Sequence, residues 1–284
     1  MKKMLSVALA IAMSLSLVAC GGGSQSDASQ SASSGAASSQ GAASSSAEIE
    51  SDLAYIQDKG TLVVGITEYA PMDYQDANGE WIGFDADMAR AFAEELGVEA
   101  EFQIIDWDNK AFELDGMTID VVWNGMTLTD EVKAAMDCSN PYCNNAQVVI
   151  VPADVADQYQ TTESVKGLAF AVESGSAGKI QVEALGASYT EVLDQATALL
   201  EVNSGTAEAA VIDSLMAAAM VGEGTSYDNL TYTVGLNSEE YGVGFRKGSD
   251  LVAELNAFFK EAYADGTMQA VAETYGVQAA LIAQ

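Results

Sequence analysis

Short apolar runs alternate with helical patterns along this chain, and no other feature of the sequence constrains its fold more. The run Thr61–Ile66 is typical of a buried strand. A helical pattern follows, with Asp85 as its predicted cap and apolar residues at a spacing of four from Met88 to Leu96. Further strands are predicted at residues 102–105 and 119–123. Strands alternating with helices form a parallel sheet covered by helices, so the sequence predicts an α/β fold.

The same alternation restarts after Pro152 and predicts a second α/β unit. An apolar run at 146–151 comes directly before this proline, and a strand at 241–246 leads into the final helices. Within the second unit and after it, the predicted elements are strands at 168–172, 192–193 and 209–213 and helices at 179–185, 195–202, 251–263 and 268–275.

The first 47 residues contain targeting signals. Two lysines, an apolar run and small residues up to Ala19 predict a signal peptide over residues 1–19, since the run is too short for a membrane span. Leu17–Cys20 resembles a bacterial lipobox, in which the cysteine is acylated. A Gly-, Ser- and Ala-rich stretch to Ala47 predicts a disordered tether. The alternative is ordinary secretory cleavage with an incidental Cys20.

Charge and composition exclude several classes of function. With 42 acidic and 11 basic residues the formal net charge is −31, which argues against nucleic-acid binding and against attraction to anionic lipid. Membrane attachment would therefore depend on the anchor alone. The chain has no histidine, which removes the commonest general base and metal ligand, and we expect neither a cofactor nor a metal. Cys138 and Cys143 are predicted to be two free thiols or, less favoured, a disulfide.

Three stretches resemble the bacterial extracellular solute-binding proteins of family 3, the polar amino-acid receptors of ABC importers. Together they cover nearly all of residues 48–284 in the order typical of that family. The stretches are Gly65–Met72 with Gly83–Met88, Trp123–Glu131 with Ser139–Tyr142, and Gly175–Ser176 with Ala210–Asp213, Gly244–Lys247 and Asp265–Thr267.

The resemblance implies a type II periplasmic-binding-protein-like fold with two lobes and a two-segment hinge. Lobe 1 would comprise residues 48–151 plus 242–284, and lobe 2 residues 152–241. It implies a lipid-anchored protein on the outer face of the cell membrane, facing the periplasm if there is an outer membrane. As a monomer, this protein would bind an amino-acid-like solute and deliver it to an importer permease.

The resemblance also implies ligand contacts. Tyr69 would lie against the ligand, or would be ordinary turn packing. Trp107 would form a second wall of the pocket, or would be a core residue beside Phe112 and Leu114. Asp213 would receive the α-ammonium group of the ligand, or would only cap a helix.

Asn124, Gly125, Met126 and Thr127 follow a predicted strand at its carboxyl end, where open α/β sheets place their ligands. The alternative is a simple loop that leads into a helix capped by Thr129.

One residue departs from the family pattern, because Val132 stands where an arginine usually pairs with the ligand carboxylate. Arg90 and Arg246, the only arginines in the chain, are not obvious substitutes. The ligand either lacks an α-carboxylate or is held by backbone amides and Lys110. The turn with Gly175 and Ser176 precedes a helix, and its amides and hydroxyl form a predicted anion site.

Three other functions remain open at this stage. Some relatives of the fold are dehydratases, and Glu68 or Glu173 could act there as acid or base. A receptor that presents its ligand to a sensor is the second alternative, and a purely structural surface lipoprotein is the third.

Overall fold

In this computed structural model the structure describes residues 51–284. The predicted signal peptide, the lipidated Cys20 and the tether to residue 47 lie outside the described residues. The strands in chain order are β1 (Thr61–Ile66), β2 (Tyr74–Gln75), β3 (Trp81–Ile82), β4 (Glu99–Ile104), β5 (Val121–Thr127), β6 (Asp137–Cys138), β7 (Cys143–Asn145), β8 (Gln147–Pro152), β9 (Ala169–Glu173), β10 (Ser188–Val192), β11 (Ala209–Asp213), β12 (Leu230–Gly235) and β13 (Glu239–Phe245).

The helices lie before, between and after these strands, and short 3-10 helices cover residues 107–109, 153–158 and 278–280. The α-helices are α1 (Asp52–Lys59), α2 (Phe84–Glu95), α3 (Lys110–Asp115), α4 (Asp130–Ala135), α5 (Thr162–Val165), α6 (Ala177–Leu185), α7 (Gln195–Ser204), α8 (Ser214–Met220), α9 (Leu251–Asp265) and α10 (Thr267–Tyr275).

Two larger sheets organise the fold and confirm the predicted α/β class. The first has the order β4-β1-β5-β13-β6, with β7 also paired to β13, and the second has the order β10-β9-β11-β8-β12. In each sheet three neighbouring strands run parallel, as predicted. β13 joins the first sheet antiparallel to β5, and β8 joins the second sheet antiparallel to β11, because each enters from the other sheet without a helical crossover. β6 and β7 pair antiparallel with β13, and β12 pairs antiparallel with β8.

The chain passes between the two sheets twice. Only Ala146 separates β7 of the first sheet from β8 of the second, and residues 236–238 separate β12 from β13. The prediction that lobe 1 extends to residue 151 differs from this pairing, since Val149 of β8 lies opposite Val211 of β11 in the second sheet. A wholly apolar run fits the interior of either sheet, so its hydrophobicity could not identify its partner.

The core of the first half is aromatic and includes the C-terminal helices. Phe92 of α2 lies with its ring centroid 6.3 Å from that of Trp123, and the rings of Phe258 and Phe259 from α9 pack against the same pair. The predicted return of the last two helices to the first sheet thus buries their apolar face. Among residues 51–284 no helix is both long and apolar enough to cross a membrane.

The two cysteines of the described part are free thiols. Cys143 is buried and Cys138 is half-buried, so the less favoured disulfide is not formed in this structure.

Candidate ligand-binding cleft

A cleft of about 250 Å³ lies where strands of both sheets reach their carboxyl ends. That position is the one at which open α/β sheets place their ligands, and the volume lies just below the roughly 300–1,000 Å³ of typical small-molecule pockets. The structure brings all of the predicted ligand residues to this cleft. They are Tyr69, Trp107, Asn124, Gly125, Met126, Thr127, Gly175, Ser176 and Asp213.

Tyr69 and Trp107 form two aromatic walls. Tyr69 is 2% exposed, and its hydroxyl lies 2.5 Å from that of Tyr241. Trp107 is also buried, with the Nζ atom of Lys110 4.9 Å from the ring centroid. Trp107 also belongs to a core cluster, as the alternative interpretation expected, although its suggested neighbour Phe112 is exposed. The contact of Trp107 with a ligand stays a prediction.

The segment from Asn124 to Thr127 is part of strand β5 and not a loop after it, which differs from the prediction. Gly125 has φ 56°, and a Cβ atom there would lie 2.4 Å from Cε1 of Tyr69. A larger residue would therefore displace the tyrosine from the cleft wall. Thr129 caps the next helix, as the alternative interpretation expected.

Most polar groups of this segment are already engaged. The Asn124 amide donates to the Thr67 carbonyl and to Asp73, and its oxygen accepts from the amide and hydroxyl of Thr67. Asn124 therefore shapes the loop that carries Tyr69. The Thr127 hydroxyl donates to Glu239 at 2.8 Å, and Met126 contributes apolar surface.

The Gly125 amide donates at 2.6 Å to Asp85, whose carboxylate also accepts from the Tyr142 hydroxyl at 2.7 Å. Asp85 was predicted to cap α2, but the cap is Gly83. The buried carboxylate instead fixes the strand that forms the cleft. Burial raises the pKa of Asp85 to about 7.

Asp213 ends β11 and is 4% exposed. It occupies the N-cap position of α8, but its side chain makes no capping hydrogen bond. The carboxylate instead accepts from the side-chain amides of Asn145, Gln147 and Gln195, and the Gln147 distance is 2.7 Å. Burial, together with repulsion from Glu239, raises the pKa of Asp213 to about 7.

Glu239 shares two of these donors. Its Oε1 atom accepts from Asn145 and from Gln147, each at 2.7 Å. Two carboxylates are therefore bridged by two amides directly behind the cleft. Sequence reasoning missed this network, because no local motif joins residues that lie more than sixty positions apart.

Gly175 and Ser176 form the turn into α6. Gly175 has φ 67°, an added Cβ would lie 2.6 Å from Cα of Asp108, and its carbonyl accepts from Lys110 Nζ at 3.0 Å. The Ser176 hydroxyl accepts from the Lys179 amide and donates to the Glu173 carbonyl at 2.8 Å. Its hydrogen is thus committed to the backbone, which differs from the expectation that the hydroxyl would bind an anion. The first helical amides of α6 have no partner within the helix.

Val132 lines the cleft, and the two arginines lie elsewhere. Arg90 binds Asp87 and the Trp81 carbonyl, and Arg246 forms an ion pair with Asp52. Lys110 is the cation nearest to the predicted anion turn. Its ammonium donates at 3.0 Å to the carbonyls of Trp107 and Gly175, which leaves one of three hydrogens for a ligand.

Glu173 is a further cleft residue, which sequence reasoning considered only as a catalytic acid. It ends β9, is 2% exposed, and its Oε1 atom has no hydrogen-bond partner among the described residues. Burial raises the pKa of Glu173 well above its usual range, and repulsion from Asp213 and Asp194 adds to the effect. Within residues 51–284 no three His, Cys, Asp or Glu side chains are arranged to hold a metal ion.

Known proteins match nearly the whole described chain. The family model of the bacterial extracellular solute-binding proteins, family 3, matches residues 62–278. The L-cystine-binding protein TcyJ of Escherichia coli strain K12 is 31% identical over 231 residues, which are 80% of this chain and 86% of TcyJ.

Two solved structures share the fold. One is the ancestral amino acid-binding protein AncCDT-1, a precursor of cyclohexadienyl dehydratase, with 33% identity and a TM-score of 0.73 over 79% of this chain and 99% of that one. The other is an ABC uptake transporter substrate-binding protein from Streptococcus pneumoniae with bound histidine. It has 28% identity and a TM-score of 0.72 over 81% and 98% of the two chains.

Proposed function

Because this chain belongs to the bacterial extracellular solute-binding proteins, family 3, we propose that it binds an amino acid in the cleft between its two sheets and delivers it to an ABC importer. The observation that carries this proposal is Asp213, a buried carboxylate held in place by three side-chain amides in a cleft of small-molecule size. Such a group is preorganised for the ammonium group that every amino acid carries.

The ligand carboxylate would be held by the first amides of α6 and by the remaining hydrogen of Lys110. A helix N-terminus favours an anion, and the lysine supplies the positive charge that Val132 does not. Desolvation by burial lowers the pKa of Lys110, so a nearby anion would also stabilise its ammonium form. Tyr69 and Trp107 would cover the ligand from two sides.

We further propose that residues 48–145 with 239–284 and residues 147–235 act as two lobes that close on the ligand. The support is that each range holds its own larger sheet and that the chain crosses between them only twice. Cys20 would carry a lipid that anchors the protein outside the cell, and the permease would receive the ligand there.

Turnover is not part of the proposal, although the name of AncCDT-1 refers to a dehydratase lineage. Glu173 and Asp213 are the two most buried acids of the cleft. Glu173 has an unpartnered oxygen, and the Asp213 carboxylate accepts hydrogen bonds from side-chain amides. Both features serve ligand binding without a reaction. Recovery of an unchanged ligand after prolonged incubation would agree with a binder, whereas a product would contradict it.

Thermal unfolding of the full chain with each common amino acid and with cystine tests the function. A ligand at a thousandfold excess over its Kd stabilises the folded state by about 4 kcal/mol, which raises Tm by several degrees. At least one amino acid should give this shift, and titration calorimetry should then give one site per chain. If no amino acid raises Tm or produces heat, the proposed function is wrong.

A further inference from the structure

Glu173 differs from the other buried carboxylates that have an unpartnered oxygen. Asp73, Asp85 and Asp120 also have one such oxygen among the described residues, but their second oxygen accepts a hydrogen bond and none of the three lines the cleft. Glu173 does line it. Its Oε1 atom has no partner, although the Gln195 side chain is close enough to the carboxyl group to lower its pKa. A buried acceptor without a donor costs about 1–3 kcal/mol, so its retention in a binding cleft points to a ligand group.

No protein cation forms an ion pair with Glu173 in the described part of the chain. Lys110 is near enough to lower the pKa of Glu173, but it forms no ion pair within 4.0 Å and donates to two backbone carbonyls instead. Asp213 and Asp194 face the same carboxyl group and repel its charge. The Glu173 carboxyl group therefore has one cation nearby, Lys110, but none in contact with it.

The cleft as a whole shows the same imbalance. Five carboxylates line it, against two ammonium groups, and one of these ammonium groups, that of Lys179, already pairs with Glu191 at 3.0 Å. An amino acid with an uncharged side chain brings no net charge, and its single ammonium would be held by Asp213. Glu173 would then gain no cationic partner from the ligand.

We infer that Glu173 binds a second cationic group of the ligand, so that the preferred ligands are amino acids with an ammonium or guanidinium group besides the α-ammonium. The inference rests on the proposed function and specifies the ligand class of the same cleft. A guanidinium or ammonium group can donate to the unpartnered Oε1, and the buried position strengthens such a charge-assisted hydrogen bond. The raised pKa of Glu173 adds a consequence, because a cationic ligand at this carboxyl group would favour its ionised form and so favour proton release on binding.

Calorimetry with arginine and citrulline tests this inference on the full chain. Citrulline has the same length but carries a neutral ureido group in place of the guanidinium. The wild type should bind arginine at least tenfold more tightly. In Glu173→Gln this ratio should fall below about threefold through weaker arginine binding, while citrulline affinity changes less than threefold. Glu94→Gln removes an exposed carboxylate of α2 outside the cleft and should keep the wild-type ratio.

Proton release gives a second readout that does not need the variant to fold. Arginine binding to the wild type, measured at several pH values in buffers of different ionisation enthalpy, should release more protons than citrulline binding. Equal affinities and equal proton release for the two ligands, or an arginine preference that survives in Glu173→Gln, would overturn the inference. A wild type that binds only neutral amino acids would overturn it and leave the proposed function intact. If the wild type binds no amino acid, the proposed function itself fails.

Discussion

Replacing Asp213 by asparagine removes the charge proposed to bind the ligand ammonium and keeps nearly the same volume. The asparagine amide would also face the donors of Asn145, Gln147 and Gln195, which now have an acceptor. Truncating one side of a buried, hydrogen-bonded charge pair costs about 2–5 kcal/mol. Asp213→Asn should therefore weaken amino-acid binding by at least 2 kcal/mol, about thirtyfold in Kd.

The pKa of Asp213 gives this prediction a pH dependence of definite sign. With a pKa of about 7 in the ligand-free protein, the carboxyl group is ionised at pH 8 and mostly protonated at pH 5.5. An ammonium ligand must then displace a proton, which costs about 1.4 kcal/mol for each pH unit below the pKa. Wild-type affinity should fall about thirtyfold from pH 8 to pH 5.5 by this effect, and the slope should be much smaller in Asp213→Asn.

Calorimetry at pH 8 and 5.5 measures both quantities, with the ligand that gives the largest Tm shift. Glu183→Gln is the matched control, since it neutralises an exposed carboxylate of the same cleft and should change Kd less than threefold. The same titrations in Glu173→Gln separate the contribution of Glu173 to the slope. If Asp213→Asn folds, binds within threefold of the wild type and keeps the pH slope, Asp213 does not hold the ammonium.

Four other outcomes follow from the same contacts. Val132→Arg should tighten binding of a free α-amino acid about tenfold or more through a bidentate carboxylate contact and leave its amidated analogue unimproved; calorimetry with both ligands checks this, and equal gains would contradict it. Glu239→Gln should move the midpoint of the binding pH profile downward, because the Glu239 charge raises the pKa of Asp213; an unchanged midpoint would argue against this repulsion. The ligand-free protein should have a higher Tm at pH 5.5 than at pH 8, because Asp85 and Asp213 hold a proton in the folded state that they lose on unfolding, so that stability falls as pH rises from about 4 towards 7. Cys20→Ala should leave the Kd unchanged and move the protein from the membrane fraction to the medium or periplasm; continued retention would refute the anchor.

Local pattern predicted some elements to the residue and others only in kind. Strand β11 was predicted with its observed limits, Ala209–Asp213, because its apolar residues end abruptly at a charged one. Strand β5 was predicted to end at Trp123, yet it continues to Thr127. Asn124 and Gly125 look like loop residues, but their hydrogen bonds to neighbouring elements keep the strand extended. Tertiary contacts of this kind carry no local signal.

The cleft was predictable at positions where a residue of the family motif also ends a strand or begins a turn. Asp213 ends a strand and Gly175 opens a turn, so their place in a motif also gives their place in space. Glu173 lies two residues before Gly175 and ends an apolar strand. A charged residue at such a position is as typical of a solvated strand end as of a buried site. Only the structure, in which it is 2% exposed, separates the two interpretations.

The amides behind Asp213 connect ligand recognition to the segments that join the two sheets. Asn145 and Gln147 flank the first crossing at Ala146, and Glu239 begins the strand after the second. Asp213 and Glu239 accept from these same two amides, and the charge of Glu239 disfavours ionisation of Asp213. A ligand ammonium at Asp213 offsets this repulsion, so both crossings should respond to the charge of the ligand at the same step. Binding affinity and the relative position of the sheets should therefore change together when any member of this network is replaced.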